Sequence, residues 1–247
     1  MAQSGRNGFF DTLFTRNVPH ILENIFFSLD YQSFKTCMNV NEAWKALFSS
    51  DAYKRRSQEL RIEKQMNETK LQDFIREGNA EEVKRLNTLL ADVNTNNCLI
   101  EAVLWGHNDV VKIFIDVGAD IDTPYGGTTL SIAAHLGYKE IVNTLLDAGA
   151  VIDKADYEGM TPLHKAVRYG HNGVVELLIE RGALPDIPDV NGQTPLHMAV
   201  KNGKYHMIKL LTEGGADPYR EDRRGITPIQ EATNQGFSWN ELAHIFG

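Results

Sequence analysis

Apolar residues recur in short bursts of helical spacing along most of the chain, and a glycine closes each burst. Leu196, Ala199 and Val200 lie three and four residues apart and predict one face of a short helix, which Thr194-Pro195 starts and Gly203 stops. A second helix is predicted over Met207 to Thr212, with Ile208, Leu210 and Leu211 inside and Gly214-Gly215 at its end. Two such helices cannot bury their apolar faces alone, so each pair needs a neighbour on both sides.

The neighbours are copies of the same unit. Asp156-Tyr157-Glu158-Gly159-Met160-Thr161-Pro162-Leu163-His164 returns as Asp189-Val190-Asn191-Gly192-Gln193-Thr194-Pro195-Leu196-His197. It returns again as Asp222-Arg223-Arg224-Gly225-Ile226-Thr227-Pro228-Ile229-Gln230, at the same 33-residue spacing. Gly159, Gly192 and Gly225 are expected at a turn with positive φ. Earlier copies hold Thr128-Thr129-Leu130, Ala133-Ala134, Gly137 and Gly149-Ala150, and before them Leu99, Ala102, Gly106-His107 and Gly118-Ala119. A first, degenerate unit from Leu71 to Asn94 keeps Leu71, Phe74, Gly78, Val83 and Leu86. At the far end Trp239, Leu242 and Ile245-Phe246 predict an aromatic closing turn, giving six units of which two are atypical caps.

The first 57 residues do not repeat. Ile21, Leu22, Ile25, Phe26 and Leu29 follow Val18-Pro19 on one helix face, a second short helix runs through Phe34, Cys37 and Met38, and a third carries Trp44, Leu47 and Phe48. Three short helices are too few to bury side chains this bulky, which suggests a docking module. Gln58 to Asn67 has neither Gly nor Pro and is rich in helix formers, so it predicts a helical join.

The period near 33 with Thr-Pro-Leu-His-x-Ala resembles the ankyrin repeat. Residues 18–57 resemble an F-box, through Val18-Pro19, Leu22, Ile25-Phe26, Leu29-Asp30, Val40 and Trp44-Lys45-Ala46-Leu47. They depart from that pattern at Val18, His20 and Asn41. The two resemblances imply an all-α chain: a three-helix F-box at 18–57, a helical linker at 58–70, and an ankyrin solenoid of about six repeats at 71–247. The clearest repeats are 124–155, 156–188 and 189–221, with a terminal cap at 222–247. They further imply a non-catalytic substrate receptor of an SCF-type ubiquitin ligase. Pro19, Leu22, Ile25, Phe26 and Leu29 would bind the Skp adaptor and, through it, a cullin, while the array binds an unidentified target protein.

Composition narrows the partners. Formal net charge is −8, and residues 69–247 carry 16 Lys+Arg against 25 Asp+Glu, which disfavours nucleic acid. Two cysteines, Cys37 and Cys98, imply no disulfide framework and a reducing compartment, cytosolic or nucleocytoplasmic. No apolar run reaches membrane-spanning length, and a monomer without cofactor is expected.

No metal-ligand spacing, nucleophile elbow or phosphate-cradling glycine loop appears. His164 and His197 occupy the repeat's His position, and His107 and His171 follow a helix-ending glycine. All four are expected to bond between neighbouring units. Lys54-Arg55-Arg56 and Arg220, Arg223 and Arg224 are expected as solvated surface charge. The residues before each unit's first helix-ending glycine, and those on the connecting fingers, are not needed by the core. Trp105, His135, Arg168, Tyr169, Lys201 and Asn202, with Tyr125, Tyr157 and Arg223 on the fingers, are therefore the candidate target-binding residues. The competing expectation is that Trp105 packs on the next finger. The competing function is a plain ankyrin scaffold whose N-terminal helices cap the array, burying Leu22, Ile25, Phe26 and Leu29 against Leu71 and Phe74.

Overall fold

The computed structural model describes residues 51–89, 95–122 and 128–237, and all regular structure among them is α-helical. Contacts divide the chain into two compact units, Met1–Lys64 and Gln65–Gly247, and the repeats make up the second. The apolar series from Pro19 to Leu29, Cys37, Trp44, Tyr125 and the terminal residues Trp239 to Phe246 lie outside the described residues.

Helix α1 (Asp51–Glu77) is unbroken through residues 58–70, where helix formers run without a stop signal. Its last turns bury Leu71 and Ile75, one helical turn apart. Among the described residues ten helices follow, four pairs flanked by two single helices: α2 (Ala80–Leu89); α3 (Thr95–Trp105) with α4 (Asn108–Asp116); α5 (Thr129–Leu136) with α6 (Lys139–Asp147); α7 (Pro162–Tyr169) with α8 (Asn172–Glu180); α9 (Pro195–Lys201) with α10 (Tyr205–Glu213); and α11 (Pro228–Asn234).

The helix starts follow the sequence closely. Thr161, Thr194 and Thr227 are extended N-caps, each followed by Pro at the first helical position, where the missing N–H costs nothing. Helix α10 departs from expectation: it starts at Tyr205, two residues before Met207, and ends at Glu213. No side chain caps it, and half-exposed Tyr205 is held by stacking on Phe237, itself packed against the core edge, so the apolar pattern does not mark its beginning. Leu210 is only partly buried, whereas Ile208 and Leu211 are fully inside.

Within each pair the two helices pack on each other. Between pairs, α3, α5, α7, α9 and α11 pack in sequence as one row, and α2, α4, α6, α8 and α10 as the other. One continuous core fills the space between the rows, from Leu71 through Phe114, Leu130, Leu145, Leu163, Leu178 and Leu196 to Ile208 and Ala232. Each fully buried leucine contributes about 2 kcal/mol by leaving water. Because every unit shares that core only with its neighbours, what distinguishes one unit from the next is carried at the edges.

Candidate protein-binding surface

The fingers between units are built on one carboxylate each. Asp189 Oδ1 accepts from the N–H of Asn191 at 2.8 Å and of Gln193 at 2.9 Å, and its own N–H donates to the Gln193 carbonyl at 2.9 Å. Asp156 and Asp222 make the same bonds in their fingers. Burial raises the Asp156 pKa, but the Lys165 ammonium at 2.6 Å and the N–H groups of Met160 and Glu158 outweigh it and hold the carboxyl below its usual range. For Asp222, too, burial is outweighed, by the N–H groups of Ile226 and Arg224 and by the Arg224 guanidinium.

The finger glycines have φ of +73°, +78° and +73° at Gly159, Gly192 and Gly225, as the expected turn requires. Close approach adds a second demand. Val190 N–H donates to the Glu158 carbonyl at 3.0 Å and Arg223 N–H to the Asn191 carbonyl at 3.1 Å, so successive fingers touch through backbone. A Cβ on Gly192 would lie 2.7 Å from Arg223 N, whereas at Gly225 it would meet nothing.

The four histidines bond between units as expected. His164 Nε2 lies 3.1 Å from the Gln193 carbonyl, while Nδ1 accepts from Thr161 N–H at 3.2 Å. His197 does the same with the Ile226 carbonyl at 3.0 Å and Thr194 N–H at 3.1 Å. Only a neutral ring protonated at Nε2 satisfies both partners, and burial accordingly lowers both pKa values. The same rings complete the capping boxes of α7 and α9, a second role not apparent from the repeat pattern. In α11 Gln230 closes the box through Oε1.

His107 and His171 reach the other way. His107 Nε2 meets the Arg76 carbonyl at 2.8 Å, and His171 Nε2 meets the His135 carbonyl at 2.7 Å. Lys204, in the same register, donates from Nζ to the Val167 and Arg168 carbonyls, both at 2.9 Å. Burial draws the Lys204 ammonium below the ordinary lysine value. Gly137 shows what this requires: a Cβ there would sit 2.4 Å from His171 Nδ1.

With their backbone so used, the residues ahead of these glycines project outward. Trp105 is 52% exposed, and the expectation that it packs on the next finger concerns residues outside those described. Tyr169 is 48% exposed, its ring centroid 3.9 Å from that of half-buried His135. Burial lowers the His135 pKa, assisted by the charges of Lys165, His171 and Arg168, which keeps an uncharged ring under Tyr169. Tyr157, at a fingertip, is 80% exposed. Arg168, Lys201, Asn202 and Arg223 are all exposed, and Arg168 lies 4.0 Å from Glu158. The α3, α5, α7, α9 row therefore presents Trp105, the His135–Tyr169 stack, Arg168, and Lys201-Asn202 in order, beside fingertips Tyr157, Val190 and Arg223.

The Cys98 thiol is pushed up to about 11 by burial and by Glu101, so it is not a nucleophile at neutral pH. Among the described residues no helix is long and apolar enough to cross a membrane, and no three His, Cys, Asp or Glu side chains could hold a metal ion.

Sequence comparison places these features. Profiles described as ankyrin repeats match residues 71–156 and 122–189 in one form and 178–232 in another. Similar proteins include protein phosphatase 1 regulatory subunit 27 of Homo sapiens, 35% identical over 39% of this chain and 68% of that protein. Inversin of Danio rerio is 41% identical over 25% of this chain and 7% of its own length. The E3 ubiquitin-protein ligase XBAT33 of Arabidopsis thaliana is 36% identical over 36% and 19% respectively. The chain thus spans only small parts of the last two. The paired helices, Thr-Pro capping boxes, backbone-linked fingers and matched profiles agree, and the chain belongs to the ankyrin-repeat family through residues 71–232.

Proposed function

We propose that the chain is a non-catalytic target receptor. Its array binds a protein segment along the exposed strip, and residues 18–57 join it to a Skp adaptor and cullin as in an SCF-type ubiquitin ligase. The observation that carries the target-binding half is the alignment of Trp105, Tyr157 and Tyr169, large and solvent-facing, beside exposed Arg168, Lys201 and Arg223. Aromatic and Arg side chains dominate binding energy at protein interfaces, and here none of the three aromatics is needed to fill the core. The adaptor half is supported by the F-box resemblance at Pro19, Leu22, Ile25, Phe26 and Leu29.

Co-purification of the full chain with the Skp adaptor and a cullin tests it. Leu22→Ala with Phe26→Ala should cost about 2 kcal/mol or more per anchor and abolish capture while circular dichroism stays unchanged. Tyr157→Ala with Tyr169→Ala should abolish target modification and leave adaptor capture intact. A second reading, a scaffold without ligase contact, is favoured by the relative named as a phosphatase regulatory subunit, of which the chain spans 68%. A wild-type chain that captures neither adaptor nor cullin would establish the scaffold instead.

A further inference from the structure

The two exposed rows change character in the same direction. Fingertips run Tyr157, Val190, Arg223, and helix ends run Trp105, Tyr169 over His135, then Lys201. Different turns position the two rows, yet in both the exposed aromatics stand on earlier units than Lys201 and Arg223, while Arg168, beside Tyr169, already faces Glu158 at 4.0 Å. At the cationic end Asn191, Gln193, Lys201, Asp222, Arg223 and Arg224 line a cavity of about 260 Å³.

The charges in that cavity are not equivalent. Arg224 Nε is committed to Asp222 Oδ2 at 3.0 Å, and Asp222 Oδ1 to the finger backbone. Lys201 and Arg223 form no ion pair among the described residues, unlike Arg168 with Glu158. Two unneutralised cations thus share one hollow on an array whose acidic residues outnumber its basic ones by 25 to 16. A mobile salt ion would gain little there, but a tethered anion positioned by neighbouring contacts gains both cations at once.

We propose that this cavity takes an anionic side chain of an extended protein segment whose apolar or aromatic residue lies on Tyr157 and the Tyr169–His135 stack. This rests on the target-binding half of the function above and adds the ligand's chemistry and spacing. Adjacent packed helices stand about 8–10 Å apart, and extended chain advances about 3.3 Å per residue. One unit is therefore about three residues of ligand. Lys201 lies one unit from Tyr169 and Arg223 two units from Tyr157, which sets the anion about three to six positions from the apolar residue.

A random peptide display selected on the full chain, and on Lys201→Glu with Arg223→Glu, tests the inference. Wild type should enrich Asp or Glu three to six positions from Trp, Phe, Tyr or Leu. The charge-reversed chain, folded by circular dichroism, should lose the acidic preference and keep the apolar one. Synthetic versions of the selected peptides carrying Glu, phosphoserine or Gln at that position then separate carboxylate from phosphate as the anion. The Gln version should bind about tenfold more weakly. Absence of acidic enrichment, its persistence in the reversed chain, or equal affinity of the Gln peptide overturns the cavity assignment. Apolar enrichment that survives Tyr157→Ala with Tyr169→Ala overturns the binding surface itself.

Discussion

The finger edge and the helix-end edge join neighbouring units with similar bonds run in opposite directions. At the finger edge His164 and His197 reach forward to carbonyls of the next unit, and backbone bonds accompany them. At the helix-end edge His107, His171 and Lys204 reach back to the preceding unit. Among the described residues the forward set occurs only where the sequence reads Thr-Pro-Leu-His. The unit of α5 has Thr128-Thr129-Leu130-Ser131, where Ser131 is too short to cross. The difference teaches that the C-terminal units are fixed at both edges, while the described N-terminal ones lack the forward histidines and rely on apolar packing, the backward bonds and scattered side-chain links such as Arg76 with Glu101 and Thr144 with Asn108.

The strongest way to break this contrast is to remove a forward histidine. His164→Ala strips the Gln193 carbonyl of its side-chain donor and leaves the Thr161 N–H unsatisfied, besides opening a cavity. It should cost about 3 kcal/mol. His164→Gln copies Gln230, keeps the capping box and loses only the crossing bond, for about 1 kcal/mol. Urea unfolding at constant m value measures both, and equal costs would mean that the crossing bond outweighs the cap.

The fingers offer the next test. Gly192→Ala meets both a positive φ and the Arg223 backbone, and should destabilise by about 2 kcal/mol or more. Gly225→Ala meets only the φ, for about 1 kcal/mol. If the two matched, the approach of successive fingers would be unimportant.

Most of the repeat was legible because its signals are local. Thr-Pro starts, glycine ends and i, i+3, i+4 apolar faces each report a backbone preference, and the His positions follow from the period. What escaped prediction depends on neighbours across the array. The stack of Tyr169 on His135 joins residues 34 apart, and Lys204 does the work of His171 with different chemistry. Arg168 looked equivalent to Lys201 in register, but Glu158 lies beside only the former. Ile75, buried at the end of α1, belongs to a degenerate unit whose pattern hid it.

A gain is expected in the α5 unit. Thr129 stands where the later units have Pro, and its buried hydroxyl has no hydrogen-bond partner among the described residues. Thr129→Pro should remove that orphan, pre-set φ and stabilise by about 1 kcal/mol in the same urea assay.

The smallest effect is a slope with pH. Burial holds His164 and His197 below the unfolded value of 6.5, so their contribution is complete above that pH and is lost as pH falls from it through the folded values. The depressed Asp156 and Asp222 lose theirs only below the unfolded value of 3.8. Melting temperature should therefore fall between pH 7 and pH 5, and His164→Gln with His197→Gln should reduce that slope, leaving the part due to His135, whose pKa burial also lowers.

The backward bonds end on the carbonyls of Arg76, His135 and Arg168, and Gln235 likewise donates to that of Lys201 at 3.4 Å. A carbonyl is the same whatever side chain its residue bears. The positions whose main chain holds the stack together are thus free to vary outward, and His135, Arg168 and Lys201 stand on the exposed strip. Selection for a new ligand can rewrite these side chains without trading away cohesion, so specificity and stability are inherited through different atoms of the same residues.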